Sequence, residues 1–225
     1  MERIIYKPGI TEYSRAYDLQ KNIHKLRAQG DIPDTLILLQ HPPTITIGKF
    51  GKYKNILVSR EQLEEAGISL FHTDRGGDVT FHAPGQLVAY PVINLKQRGL
   101  GIRDYICNLE EVIIKTLACL NIYSDRRQGY SGVWVKDEML AFIGLSVKRW
   151  TTMHGFSINV NTDLKDFSLI KPCGFADNKV TSVSKLMGYD ISVDEVSRQL
   201  IACFAQVFES NIETVSDLEF VGRLS

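Results

Sequence analysis

The chain has 225 residues, and Lys plus Arg and Asp plus Glu both total 26, so its formal net charge at pH 7 is zero. That balance argues against a protein that holds nucleic acid or a membrane surface by bulk electrostatics. The length suits one domain with a full core, and no linker, repeat or low-complexity tract divides residues 1–225, so they are read as a single domain.

Residues 1–9 contain no apolar signal core, and no later stretch approaches the ~18 apolar residues of a membrane span, which predicts a soluble, cytoplasmic protein. Cys107, Cys119, Cys173 and Cys203 are too few and too scattered for a disulfide framework. No Cys-x-x-Cys or clustered His/Cys spacing points to zinc, so no metal is expected. A monomer is expected as well, since no surplus apolar strip is visible.

In chain order, residues 2–6 read as a short strand. Tyr13, Ala16, Tyr17, Ile23 and Leu26 recur at helical spacing until Gly30. Residues 35–40 form a continuous apolar run, the mark of a buried strand, and residues 44–48 a second strand after His41-Pro42-Pro43. Residues 49–55 read as a polar loop. Ser59 with Gln62 is a capping box for a short helix ending at Gly67. Strands follow at 68–73 and 87–95. Ile102, Ile106, Leu109, Ile113, Leu117 and Leu120 mark a long helix. Residues 131–135 and 140–148 form a hairpin around 136–138, and residues 156–160 another strand. Ser192 with Glu195 is a second capping box, opening a helix whose Val196, Leu200, Ile201, Phe204 and Phe208 face the core. Residues 212–215 add an edge strand. The order predicts an α+β domain with a mixed β-sheet and helices packed on one side.

Two stretches stand apart from this periodic pattern. The first is Arg75-Gly-Gly-Asp-Val-Thr-Phe-His-Ala-Pro-Gly-Gln86. Adjacent glycines let a backbone approach a ligand where no side chain fits, and Pro84-Gly85 is a tight turn that places His82 at a strand end. A binding wall and an ordinary hairpin both satisfy this pattern. The second is Cys173, set between Pro172 and Gly174 in no helical or strand period, a suitable seat for a nucleophile. At its usual pKa of about 8.5 only ~3% of a thiol is ionised at pH 7, so a nucleophilic Cys173 needs a nearby cation or base. His82, His154 and glycines 76, 77, 144 and 155 read as lying at strand starts or ends, where one pocket could gather them.

Together with Gly132-Val-Trp-Val135, Ile143-Gly144, His154-Gly-Phe-Ser-Ile-Asn-Val160, Asp163-Leu164, Pro172-Cys-Gly174 and Thr181-Ser182, these stretches resemble the lipoyl (octanoyl) transferase family, also called lipoate-protein ligase B. Order and spacing match from about Leu36 to Leu186. The resemblance implies the fold of the lipoate and biotin protein ligase catalytic domain, with a small second sheet beside the main one. It implies transfer of an octanoyl group from octanoyl-acyl carrier protein to a lysine of a lipoyl domain, carried by 2-oxo-acid dehydrogenase acyltransferase subunits or the glycine-cleavage H protein.

By the same match Cys173 is the catalytic residue that carries the acyl group as a thioester. Arg75, Gly76, Gly77, Asp78, Val79, Thr80, Phe81 and His82, with Phe142, Ile143, Gly144, Gly155, Phe156 and Ser157, line the acyl pocket. A thioester conserves the energy of the incoming thioester, so neither ATP nor another cofactor is expected. Burying roughly six methylenes at about 0.8 kcal/mol each would supply on the order of 5 kcal/mol, with pocket depth reading the chain length.

The match departs at Met139, where the family usually has a lysine that assists the cysteine. Lys171, Lys179 and His154, or His82, are the candidate replacements. A smaller departure is Ala83, where the family usually has glycine. Met139 keeps two other readings open: an amidotransferase that moves acyl groups between lipoyl domains, and a non-catalytic acyl or lipoyl-domain binder. An ATP-dependent lipoate ligase fits less well, because such enzymes rely on the lysine this chain lacks.

Overall fold

The computed structural model describes residues 2–171 and 179–214, which hold ten strands and five α-helices. The strands are β1 (Glu2–Ile10), β2 (Asp34–Gln40), β3 (Thr44–Ile47), β4 (Ser69–His72), β5 (Val79–His82), β6 (Gln86–Val92), β7 (Gly132–Val135), β8 (Glu138–Lys148), β9 (Thr151–Asn159) and β10 (Asn211–Thr214). The helices are α1 (Tyr13–Gln29), α2 (Arg60–Glu65), α3 (Ile102–Ala118), α4 (Val183–Met187) and α5 (Val193–Val207).

Seven strands form the main sheet in the order β10-β1-β2-β6-β9-β8-β7, and a three-stranded sheet runs β4-β3-β5. β1 lies parallel to β10 and β2, and the remaining neighbours of the main sheet pair antiparallel. The expected mixed sheet and small second sheet are both present.

β2 explains where the helices go. Leu36 and Leu38 share a core with residues of α3 and α5, while Ile37 and Leu39 pack with Ala16 and Ile23 of α1. Successive side chains of a strand point to opposite faces, so a strand covered on both faces reads as an unbroken apolar run. α3 and α5 therefore occupy one face as expected, but α1 covers the other. Helices on one side only is corrected by this second layer. Its ends are chemically defined: Gly30, at φ +93°, caps α1 in the left-handed region, and Asp34 accepts from Arg27 Nε and Arg98 Nε, both at 2.7 Å.

The small sheet builds its own core from Ile45, Ile47, Val79 and Phe81, closed by Met139 and Phe142 of β8 and by Phe167. Phe167 belongs to a short 3₁₀ helix, Leu164–Leu169, whose mixed sequence has no helical period. The two sheets thus meet along β8, and the cavity described below lies at that junction.

Local expectations fare unevenly. Both halves of the Ser59/Gln62 capping box form. Ser192 begins α5 without any side-chain cap bond, so the second predicted box is not made. β9 starts at Thr151, five residues before the expected strand, because threonines 151 and 152 are fully buried there and Thr152 Oγ1 bonds to the Pro91 carbonyl at 2.7 Å. Among the described residues no helix is long and apolar enough to cross a membrane.

Candidate active site

The Arg75–His82 stretch is held by its own arginine. Arg75 is buried, and its guanidinium donates to the Thr46 carbonyl at 2.7 Å, the Thr46 hydroxyl at 2.9 Å, the Asp78 carbonyl at 2.8 Å and the Gly76 carbonyl at 3.0 Å. A planar fork with five donors can tie β3 to the following loop in this way, where a lysine could not. Around this brace three backbones converge. Gly76 N–H donates to the Leu145 carbonyl at 2.8 Å, and a Cβ on Gly144 would lie 3.0 Å from the Gly76 carbonyl. The glycines serve close approach, as the sequence suggested.

On the far side, a Cβ on Gly155 would collide with the Ala89 carbonyl and lie 2.5 Å from Pro91 Cδ. The preceding His154 adopts φ +61° in the middle of β9, a conformation that L side chains rarely take and that surrounding structure must enforce. Its enforcers are visible: His154 N–H donates to Gln20 Oε1 at 2.9 Å, and its ring stacks on Tyr17 at 5.7 Å.

Between these walls is a cavity of about 50 Å³. Arg75, Gly77, Thr80, His82, Phe142, Ile143, Gly144, His154, Gly155, Phe156 and Ser157 all border it, so most of the predicted pocket residues come together. Strand alternation removes two of the others: Val79 and Phe81 point into the small-sheet core, where Phe81 meets the Phe167 ring at 5.7 Å. Asp78 also turns away, accepting from Lys52 N–H at 3.0 Å and from the Asn55 amide. Gly76 lines an adjoining cleft of about 300 Å³ with Ile106, Met139 and Leu145. Cavity and cleft share Gly77, Ile143 and Gly144, and the two glycines put no side chain between them.

Tyr13, Val88 and Tyr90 also line the cavity and carried no functional signal in the sequence. Tyr13 read as helical core and Tyr90 as part of a strand. Tyr90 is fixed through His41, whose Nδ1–H donates to the Thr11 carbonyl at 2.6 Å, leaving Nε2 to accept from the Tyr90 hydroxyl at 2.7 Å. Burial pushes His41 down to about 4, in keeping with that neutral tautomer.

The same reasoning fixes the two cavity histidines. Gln86 Nε2 donates to the Phe81 carbonyl and to Asn159 Oδ1, so its oxygen faces His82 and accepts from His82 Nδ1–H at 2.7 Å. Burial, reinforced by His41, lowers His82 to about 3. His154 Nε2–H donates to Asp74 Oδ1 at 2.9 Å; hydrogen bonds from His154 and from Lys148 hold the Asp74 carboxyl well below the usual range, while burial lowers His154. Both imidazoles are neutral at pH 7. Neither is a cation.

Cys173, Pro172 and Gly174 lie outside the described residues. The residues that bracket them are placed: Lys171 N–H donates to the Asn55 carbonyl at 2.7 Å, and the Lys179 carbonyl accepts from Met139 N–H at 2.8 Å. Both lysines are exposed. Met139 is 2% exposed and packs with Trp134, Phe142, Phe167 and Val180, a setting that suits an apolar side chain. Ala83 is buried in the same core. Among the described residues no group of three or more His, Cys, Asp or Glu side chains could hold a metal ion.

The model of the lipoyl protein ligase A/B catalytic domain matches residues 12–205. An octanoyltransferase of Caldicellulosiruptor saccharolyticus is 46% identical over 220 residues, covering 96% of this chain and 93% of the relative. One of Desulforamulus reducens is 41% identical over 227 residues, covering 99% and 100%. Among solved structures, lipoate-protein ligase A bound with ATP superposes with a TM-score of 0.79 at 17% identity, covering 99% of this chain and 93% of that one. Biotin protein ligase from Aquifex aeolicus, in complex with biotin and ATP, gives 0.56 at 12% identity, covering 92% and 70%. These two likenesses concern the fold. From the family match and the near full-length relatives, the chain belongs to the lipoyl protein ligase A/B catalytic domain family, among its octanoyltransferases.

Proposed function

We propose that this chain is a single catalytic domain that moves an octanoyl group from acyl carrier protein to the ε-amine of a lysine on a lipoyl domain, through a thioester on Cys173. The observation that supports the reading is that the cavity and the cleft both border Gly77, Ile143 and Gly144, where the Arg75–Gly77 loop packs on β8. At about 50 Å³ the cavity alone is smaller than the 150 Å³ that admits a benzene molecule, so the chain of the acyl group lies mainly in the cleft. Its carbonyl end belongs toward Met139 and Asn55, where the residues bracketing Cys173 are anchored, and its methyl end toward the cavity.

The reaction balances in two steps. Cys173 thiolate attacks the carbonyl of the carrier thioester, a new C–S bond forms, and the carrier thiolate leaves and takes up a proton. The lysine amine then attacks the enzyme thioester, the C–S bond breaks, an amide forms, and the amine's proton returns to Cys173. A thioester is converted to an amide downhill, and no step consumes ATP. Acyl carrier protein as donor places the reaction in the cytoplasm.

Within the cavity, His82 and His154 are held neutral and the Arg75 guanidinium is engaged in bracing Thr46, Gly76 and Asp78, while Met139 in the cleft is apolar. Lys171 and Lys179 are the cations nearest Cys173 in sequence, and we assign the lowering of the thiol pKa to this pair. A transfer assay with octanoyl-acyl carrier protein and an apo lipoyl domain tests the reading. Cys173→Ala is expected to lower turnover by at least about a thousandfold. Undiminished turnover would rule out the thioester.

A further inference from the structure

Residues 49–57, the strap between β3 and α2, contain no acidic residue. Lys49, Lys52 and Lys54 are exposed, and none of them makes an ion pair among the described residues. Between and just beyond them stand Phe50, Tyr53 and Leu57, 69%, 62% and 48% exposed. Single exposed apolar side chains are ordinary, but aromatic anchors set among unpaired charges have the make-up of a protein-binding face. The strap is also fixed in place. Lys49 N–H donates to the Arg75 carbonyl at 2.8 Å and Phe50 N–H to the Gly77 carbonyl at 3.2 Å, while Asp78 accepts from Lys52 N–H at 3.0 Å and from the Asn55 amide. The Tyr53 hydroxyl pairs with His72 Nε2 at 2.6 Å. At the other end Leu57 N–H donates to the Leu169 carbonyl at 2.8 Å, and the Asn55 carbonyl accepts from Lys171 N–H at 2.7 Å. Gly77 borders both cavity and cleft, and Lys171 stands two residues before Cys173. One braced strap therefore runs from the acyl site to the segment that carries the nucleophile.

We propose that residues 49–57 are the docking face for the acyl donor, an acidic carrier protein. The proposal rests on the transferase reading given under Proposed function. With a formal net charge of zero, the chain as a whole offers a charged partner no long-range attraction, so a local patch has to supply it. Three unpaired lysines do so, and their pull is screened by salt, the Debye length falling from about 10 Å at 0.1 M to about 3 Å at 1 M. Phe50, Tyr53 and Leu57 then hold the complex by burying apolar area, which salt does not screen. The donor suits this face better than the acceptor. A carrier presents its thioester on a flexible arm, so its body docks beside the site while the arm enters. An acceptor lysine stands on the surface of its own domain, and that domain has to come up to the acyl group itself.

Surface plasmon resonance of the full chain over immobilised holo-acyl carrier protein, which bears the arm but no acyl group, reads docking without requiring transfer. The triple variant Lys49→Gln, Lys52→Gln, Lys54→Gln is expected to bind at least about tenfold more weakly in 0.1 M NaCl and to lose less affinity than the unaltered chain on going to 1 M. Phe50→Ala is expected to weaken binding about tenfold at both salt concentrations. Lys25→Gln, Lys96→Gln, Arg198→Gln removes the same charge from exposed positions on other elements, and should stay within about threefold. Acylation by octanoyl-pantetheine, an arm without a protein, should likewise stay within about threefold in the strap variant. Equal losses in the two triple variants, unchanged binding in both strap variants, or equal slowing with octanoyl-pantetheine and octanoyl-acyl carrier protein would overturn the docking face. A loss seen only over immobilised apo lipoyl domain would overturn the assignment to the donor. If carrier binding depends on the strap but Cys173 is never acylated, the transferase reading fails and the docking face stands.

Discussion

His41, His82 and His154 are kept neutral by burial, and that has a measurable consequence. Their folded pKa values lie below the unfolded value of about 6.5, so between these limits the unfolded chain binds protons that the folded chain refuses. Stability therefore falls as pH drops from about 6.5 toward about 4, by roughly 1.4 kcal/mol per pH unit for each of His41 and His82, with His154 acting in the same direction. Urea unfolding from pH 7 to pH 4.5 is expected to show this slope, and His41→Gln should make it shallower by one histidine. A midpoint independent of pH across that range would contradict the neutral assignment. Gly155 makes the second residue-scale case. Gly155→Ala puts a methyl group against the Ala89 carbonyl and Pro91, and the expected loss is about 3 kcal/mol in urea unfolding, together with loss of octanoate binding. At this scale the sequence was legible where chemistry is unusual. Arg75, the glycines and His82 stood out from the periodic pattern, although an ordinary hairpin fitted them as well as a wall, whereas Tyr13 and Tyr90 look like any core aromatic until α1 folds against β6. Asp78, Val79 and Phe81 belong to the same motif yet face away, because a strand shows only every second residue to one side.

The elements tell a similar story in their ends and faces. Ser59 receives Gln62 N–H at 3.3 Å and returns the favour through the Gln62 side chain at 2.9 Å, so Ser59→Ala should cost about 1 kcal/mol in stability. Ser192 makes no such bond, and Ser192→Ala should stay within about 0.5 kcal/mol. Equal losses in thermal or urea unfolding would show that the two caps are equivalent after all. The same four-residue spacing preceded both helices, so the motif alone could not tell them apart. β9 was hidden for another reason. Its first half, Thr151–His154, is largely polar by composition and buried in fact, with Pro91, Gln20 and Asp74 pairing Thr152 Oγ1, His154 N–H and His154 Nε2–H from other parts of the chain.

For the whole molecule, the alternation of apolar strands and amphipathic helices was enough to foresee a mixed sheet, while its smaller companion was expected only from the family resemblance. It could not foresee that β2 is covered on both faces, since an apolar run is the same whether one helix layer or two lies over it. Nor could spacing bring Tyr13, Thr80, Tyr90, Phe142 and His154 to one cavity; that follows from β8 joining the two sheets. The same topology anchors Lys179 beside Met139 and Lys171 beside Asn55, at the rim where the acyl carbonyl is assigned. Acylation of Cys173 is the claim on which this arrangement depends. Intact-protein mass spectrometry after mixing the chain with octanoyl-acyl carrier protein, and again after adding an apo lipoyl domain, tests it most directly. The account predicts a gain of one octanoyl group that disappears from the enzyme and appears on the domain, with no gain in Cys173→Ala. A chain that gains no octanoyl group, or that passes it to the domain with Cys173 replaced by alanine, would contradict it.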